Sequence, residues 1–200
     1  ELVTWTNMVN SSSSGPGALG YVGAANQLGS GASSTRALSG GDGYVEAHWS
    51  NADASLYLGL SNADLSPTLG GIDFAAGITS AGVTVYEQGQ PRGTFGGPST
   101  AADVLRIGVE DGVVRYRKNG ALIYSSLVPP TYPLRVDTAL TVRGTGFTGV
   151  TISGVLVDVG AALVAASPAG GSFSAPVAVT LTTSTPGAQI RFTTDGTEPT

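Results

Sequence analysis

The sequence holds no cysteine, a single histidine (His48), a single lysine (Lys118) and one methionine. Without cysteine there is no disulfide, no thiolate metal site and no thiol nucleophile, while the redox compartment stays open. Fourteen acidic against nine basic residues leave a net charge of −5. The clustered phosphate neutralisers that nucleic-acid binding requires are therefore lacking. No run approaches the roughly 18 consecutive apolar residues of a membrane-spanning helix. Charged residues make up 12% and hydrophobic residues 41%, too apolar a balance for a disordered linker. The first residue is Glu1 and no secretory signal precedes it, which implies a removed leader or a piece of a longer chain.

What is present points to strands. Thirty glycines, with abundant Ser, Thr, Val and Ile, disfavour helices and favour strands joined by tight turns. At 200 residues the chain buries enough apolar surface to need no covalent staple. Alternating apolar segments recur about every ten positions with Gly, Asn or Asp between them, the spacing of a sandwich or barrel. The pattern predicts strands near 2–9, 19–28, 43–50, 54–61, 72–78, 82–87, 92–95, 103–110, 113–118, 121–126, 133–142 and 147–158. Ser11–Gly17 reads as a flexible loop and Ser99–Asp103 as a single helical turn. The expected fold class is all-β.

Asp111-Gly112 and Asn119-Gly120 are two-residue hairpin signals, because a type I′ turn needs positive φ at both central positions. Taken literally they set register. Across the first turn Val109 faces Val114, Ile107 faces Tyr116 and Arg106 faces Arg117. Across the second, Arg117 faces Leu122, Tyr116 faces Ile123 and Arg115 faces Tyr124. One face then carries Leu105, Ile107, Val109, Val114, Tyr116 and Ile123 as a core side; the other carries Arg106, Arg115, Arg117, Leu122 and Tyr124. Opposed arginines repel by some tenths of a kcal/mol. A lattice of ion pairs with Glu87 or Glu110 offsets this, and an anionic ligand is the alternative.

Several phrases occur together: Trp5-Thr6-Asn7, Gly41-Asp42-Gly43-Tyr44-Val45-Glu46, Gly59-Leu60-Ser61-Asn62, Ile72-Asp73-Phe74-Ala75, Arg92-Gly93-Thr94-Phe95, and the run from Asp103 through Arg115-Tyr116-Arg117-Lys118-Asn119-Gly120. With them, residues 1–158 resemble the concanavalin A-like, SPRY-like sandwich modules of large surface and secreted proteins. That resemblance implies an antiparallel, jelly-roll-like sandwich that binds glycans or proteins or serves as a spacer. Further on stand Pro168-Ala169-Gly170-Gly171-Ser172-Phe173, Val177-Ala178-Val179-Thr180-Leu181 and Ile190-Arg191-Phe192-Thr193-Thr194-Asp195-Gly196-Thr197-Glu198-Pro199-Thr200. This stretch resembles the opening part of a chitobiase C-terminal-type module, an immunoglobulin-like (Ig-like) β domain. The expected organisation is a sandwich over 1–158, a linker over 159–167 and an incomplete Ig-like module over 168–200. Half a module leaves an unpaired edge. It implies continuation of the chain, or completion by strand addition from a neighbouring subunit.

Catalytic chemistry finds little footing. Glycosidases need two carboxylates about 5–9 Å apart, and no strand carries them at alternating positions. Glu46 alternates outward with Tyr44 and His48, while Val45, Ala47 and Trp49 point inward; a solvated strand face accounts for this better than an acid–base pair. No nucleophile elbow, phosphate loop or zinc-protease motif occurs. For calcium, Asp53, Asp64 and Asp73 lie in turn segments and offer hard oxygen ligands; turn capping is the simpler duty for such residues. For a ligand face, Tyr57, Tyr86 and Tyr124 are candidate stacking rings, and Arg106, Arg115 and Arg117 candidate polar contacts.

The expectation is therefore a non-catalytic module, secreted or surface-displayed, for glycan recognition or adhesion within a larger modular protein. Its partners are a glycan or cell-surface component, with no nucleic acid, no membrane span and no required cofactor. The alternative is a structural subunit or decoration of an extracellular filament, fibre or phage virion, with identical subunits as partners. A glycan-active enzyme stands third.

Overall fold

The computed structural model describes residues 1–24, 29–51, 55–159, 164–183 and 190–194. The chain forms two compact units, Glu1–Val159 and Gly160–Thr200. Among the described residues there is no α-helix, and no helix is long and apolar enough to cross a membrane.

The first unit consists of thirteen strands: β1 (Trp5–Val9), β2 (Ser11–Ser12), β3 (Leu19–Tyr21), β4 (Gly31–Trp49), β5 (Leu56–Ser61), β6 (Phe74–Thr79), β7 (Gly82–Glu87), β8 (Gln90–Phe95), β9 (Val104–Glu110), β10 (Val113–Lys118), β11 (Ala121–Ser125), β12 (Leu134–Leu140) and β13 (Gly146–Asp158). All pairings are antiparallel, and the main path runs β11-β10-β9-β4-β12-β5-β6-β7-β8, with β13 along the other side of β4. β9 also lies against β5 and β6, with which it shares no ladder. The path therefore folds over on itself into a sandwich, and Leu58, Leu60, Phe74, Leu105, Ile107 and Tyr116 fill the space between. Trp49 meets Phe147 edge-on at 5.1 Å, and its indole N–H donates to the Leu56 carbonyl at 3.1 Å. The buried indole is thus satisfied as well as packed.

β4 is the element the sequence pattern shows least. Strand expectation began at 43, yet the ladder runs from Gly31. Residues 31–42 are mostly Gly, Ser, Thr and Ala, without the apolar alternation that marks a strand. Their strand character comes from neighbours. Gly31 sits so close to β12 that a Cβ would lie 2.1 Å from the Thr138 carbonyl oxygen. Thr138 Oγ1 accepts from the Ala32 N–H and donates to the Ala32 carbonyl, both at 2.8 Å, and Ser34 Oγ accepts the Val136 N–H at 2.9 Å. Small hydroxyls replace ladder bonds where the register between β4 and β12 shifts.

Other differences are local. The loop expected over Ser11–Gly17 begins with the short strand β2, paired to β3. The expected helical turn is a hydrogen-bonded turn from Thr100 to Asp103. The first hairpin has the expected register, with Val109 opposite Val114, Ile107 opposite Tyr116 and Arg106 opposite Arg117. The second does not: Arg117 faces Leu122, but Tyr116 faces Tyr124 and Arg115 faces Ser125, leaving Ile123 as a bulge. The bulge lets consecutive side chains, Ile123 and Tyr124, both pack against the core.

The beginning and end of this unit meet. The Glu1 ammonium donates to the Ile152 carbonyl at 2.9 Å, the Val159 N–H donates to the Thr35 carbonyl at 2.8 Å, and Arg36 pairs with both Glu1 (2.7 Å) and Asp158 (3.1 Å). In the second unit, β14 (Ala165–Ser167) pairs with β15 (Thr180–Thr182).

Asn119 stands at φ 51°, with its side chain accepting the Val104 N–H at 2.8 Å and donating to Asp103 at 2.7 Å. Asn119→Ala therefore loses both the left-handed preference and two hydrogen bonds, and should cost about 1–3 kcal/mol. Asn119→Gly, which tolerates the backbone, should lose less. Denaturant unfolding of both variants measures the difference, and equal losses would mean that backbone conformation contributes nothing.

Candidate functional site

Three surfaces carry the residues singled out from the sequence. On the outer face of β4, β9 and β10, Tyr44, Glu46 and His48 alternate with buried Val45, Ala47 and Trp49. The opposed pair Arg106 and Arg117 is kept apart electrically by carboxylates. Arg106 bonds Glu46 at 2.7–2.8 Å while its guanidinium lies 3.8 Å above the Tyr44 ring. Arg117 takes Glu110 with two nitrogens, both at 2.7 Å, and Arg115 reaches the same carboxylate at 3.1 Å. The Arg117 hydrogen bonds, with Arg115 in support, pull the Glu110 carboxyl down to about 2. All three arginines thus hold carboxylates of this chain. Glu87, expected among these partners, is instead buried and takes Arg92 at 2.9 Å.

Glu46 and Glu110 line one groove of about 680 Å³ together with Val104, Arg106, Arg117 and Asn119. Two carboxylates in one groove is the arrangement sequence reasoning missed, because they lie on different strands, β4 and β9, and a search along single strands cannot see them. Each is bonded by two nitrogens of an arginine, and Glu110, its carboxyl held near 2, cannot donate a proton at neutral pH.

The second surface is the outer face of β5, β6, β7 and β12. Tyr57 and Tyr86 meet edge-on at 5.4 Å and 85°, over a small cluster of Ile72, Ala75 and Ala139. Burial, with Tyr86 alongside, raises the Tyr57 phenol to about 12, so it stays a neutral hydroxyl. Beside Tyr57 opens a pocket of about 470 Å³ with Leu69 and Ala139 as apolar lining and Ser55, Thr68 and Thr141 as hydroxyl-bearing lining. Tyr124, placed by the simple hairpin register on the outward face, packs instead on Phe95 (4.9 Å) and Tyr116 (5.6 Å).

The carboxylates considered for calcium separate. Asp53 lies outside the described residues. Asp73 accepts the Asn62 N–H at 2.8 Å, which is turn capping. Asp64 points elsewhere, accepting Asn7 Nδ2 at 2.7 Å and Ser33 Oγ at 2.8 Å. Among the described residues no three His, Asp or Glu side chains converge. Asp64 does face one acid that the sequence did not single out, Asp137 of β12. Burial and then the Asp64 charge push Asp137 up to about 8, with the Ser61 hydroxyl, the Thr138 N–H and Arg135 pulling the other way. The available signal was a lone acid inside the apolar run Leu134–Leu140.

The chitobiase/β-hexosaminidase C-terminal domain family model matches residues 168–200. No curated protein matches the chain. Among solved structures, a human SPRY domain is 17% identical at TM-score 0.57, covering 72% of this chain and 96% of that one. A TRIM65 PSpry domain is 15% identical at TM-score 0.56, covering 74% and 91%. Stonustoxin is 11% identical at TM-score 0.53, covering 76% of this chain and 28% of that one. The first unit thus has the fold of the SPRY domains, an antiparallel β-sandwich. Over residues 168–200 the segment after it is similar to the chitobiase/β-hexosaminidase C-terminal domain.

Glu110→Gln should lower stability at pH 7 by about 1 kcal/mol, because partly exposed pairs are screened by solvent. The folded carboxyl lies below its ordinary value of 4.5, so its contribution is present above 4.5 and lost as pH falls toward 2. Unfolding midpoints of wild type and variant should converge over that window; a gap independent of pH would contradict the ion-pair account.

Proposed function

We propose that the first unit is a non-catalytic recognition module for glycan, with the pocket at Tyr57 as the binding surface. The observation that carries this is the composition of that pocket: an aromatic side chain and apolar lining beside three hydroxyl residues. Sugar rings present C–H faces that stack on aromatic rings and hydroxyl edges that bond to hydroxyl and backbone groups. The Tyr57 ring is braced by Tyr86, so little rotamer freedom is lost on binding. The ion-paired face of β4, β9 and β10 supports this choice, since its arginines already hold carboxylates. Display outside the cell, in a larger modular protein, belongs to the same proposal and is supported by the acidic, lysine-poor composition.

A structural role in a filament, fibre or virion is the second reading. It is favoured by Phe173, Val177, Val179 and Phe192 of the second unit, which are 44–68% exposed. Val179 and Phe192 line one depression with Leu181 and Ile190, and an exposed apolar surface of this kind attracts a partner. Self-association seen as particles or fibres by negative-stain microscopy would support it, and a purely monomeric profile would count against it.

A glycan array followed by isothermal titration with the full chain tests the recognition reading. Tyr57→Ala should weaken binding tenfold or more, about 1.4 kcal/mol, while leaving the unfolding midpoint within a few degrees. No binding across host and bacterial glycans would sink it.

A further inference from the structure

Asp137 is 1% exposed, yet among the described residues its Oδ2 has no hydrogen-bond partner; Oδ1 accepts the Thr138 N–H at 2.8 Å. A buried carboxylate oxygen left empty is expensive, and native proteins fill such places with a donor or a cation. The Ser61 hydroxyl and Arg135 pull the Asp137 carboxyl down but do not outweigh its burial. Arg135 shares the outward face of β12, but its Nε is itself buried and, among the described residues, without a partner. The nearest acid, Asp64, adds negative charge where positive charge is needed.

Around this oxygen stand groups that favour a hard cation. Ser33 is the cross-strand partner of Asp137 on β4, and its Oγ bonds Asp64. The Ser61 hydroxyl lies beside Asp137. Asn7 brings its amide to within 2.7 Å of Asp64 and 3.3 Å of Ser33 Oγ. Its backbone stands at φ 49°, where the ladder of β1 breaks between Thr6 and Val9. Asn tolerates that conformation better than most residues, and here the break directs its amide at the acids. These side chains come from β1, β4, β5, the β5–β6 connection and β12. Asp137 lies at the bottom, while half-buried Asp64 and exposed Asn7 lie toward solvent and leave a way in.

We propose that Asp64 and Asp137 hold a divalent cation of the calcium type, with Ser33, Ser61 and the Asn7 side-chain oxygen completing the protein ligands. Calcium accepts 6–8 oxygen ligands in flexible geometry and takes waters for the remainder, whereas magnesium demands a tighter octahedron. Two carboxylates with hydroxyl and amide oxygens suit the former. Rotation of the Asn7 amide about its terminal bond exchanges nitrogen for oxygen and turns a donor into a ligand. The site pins β1 and the β5–β6 connection onto β12. It also lies two residues along that strand from Ala139 in the Tyr57 pocket, although the proposal stands without the glycan reading.

The test uses the full chain, stripped with chelator and titrated with calcium chloride up to ~10 mM, beyond the affinity range of extracellular calcium modules. Isothermal titration should show one saturable site, and the unfolding midpoint should rise by about 5 °C or more at saturation. Magnesium chloride should give a smaller shift. Asp137→Asn should abolish both responses while keeping the wild-type far-ultraviolet spectrum, and Asp64→Asn should weaken affinity at least tenfold. Absence of heat and of any midpoint shift in the wild type would overturn the proposal, leaving a shared proton between the acids. An undiminished response in Asp137→Asn would overturn it as well, by placing the ion elsewhere.

Discussion

The backbone hydrogen bonding of one long strand governs the first unit. β4 takes β1 and β12 along its first half and β9 along its second, while β13 follows it through much of both. Each of its edges must be matched, because an unpaired buried amide costs as much as a lost hydrogen bond. The sequence of β4 serves this requirement more than it serves packing. Its first half is small and polar, so that neighbours approach closely and hydroxyls fill the places where register slips. Its second half alternates Val45, Ala47 and Trp49 into the core with Tyr44, Glu46 and His48 outward.

This division explains what could be read in advance. The second half of β4 and the β9–β10 hairpin follow from alternation and a two-residue turn, both local in sequence. The first half of β4 does not, since nothing in Gly31–Asp42 signals a strand until Thr138 and Val136 are placed beside it. The bulge at Ile123 has the same origin: Tyr124 is drawn inward by Phe95 and Tyr116, which come from other strands. Among the site residues, Tyr57 and Tyr86 stood out individually, but their contact depends on pairing of β5, β6 and β7. Asp137 was hidden because an apolar strand invites attention to its hydrophobic residues.

The two outer faces of the sandwich treat charge in opposite ways. On one, guanidinium and carboxylate groups alternate across β4, β9 and β10, so each charge is spent on a neighbour. That face is polar and internally complete. On the other stand the aromatic pair, the hydroxyl-lined pocket and the buried acid, whose Oδ2 is without a partner among the described residues. Affinity for anything external requires such unused capacity, since a contact that displaces an existing ion pair gains little.

Arg36, bonded to Glu1 and Asp158 together, has a mechanical meaning. Because Glu1 and Asp158 share one guanidinium, loss of either ion pair also loosens the hold on the other. The two ends of the first unit are therefore fastened to β4 at a common point and release together rather than independently.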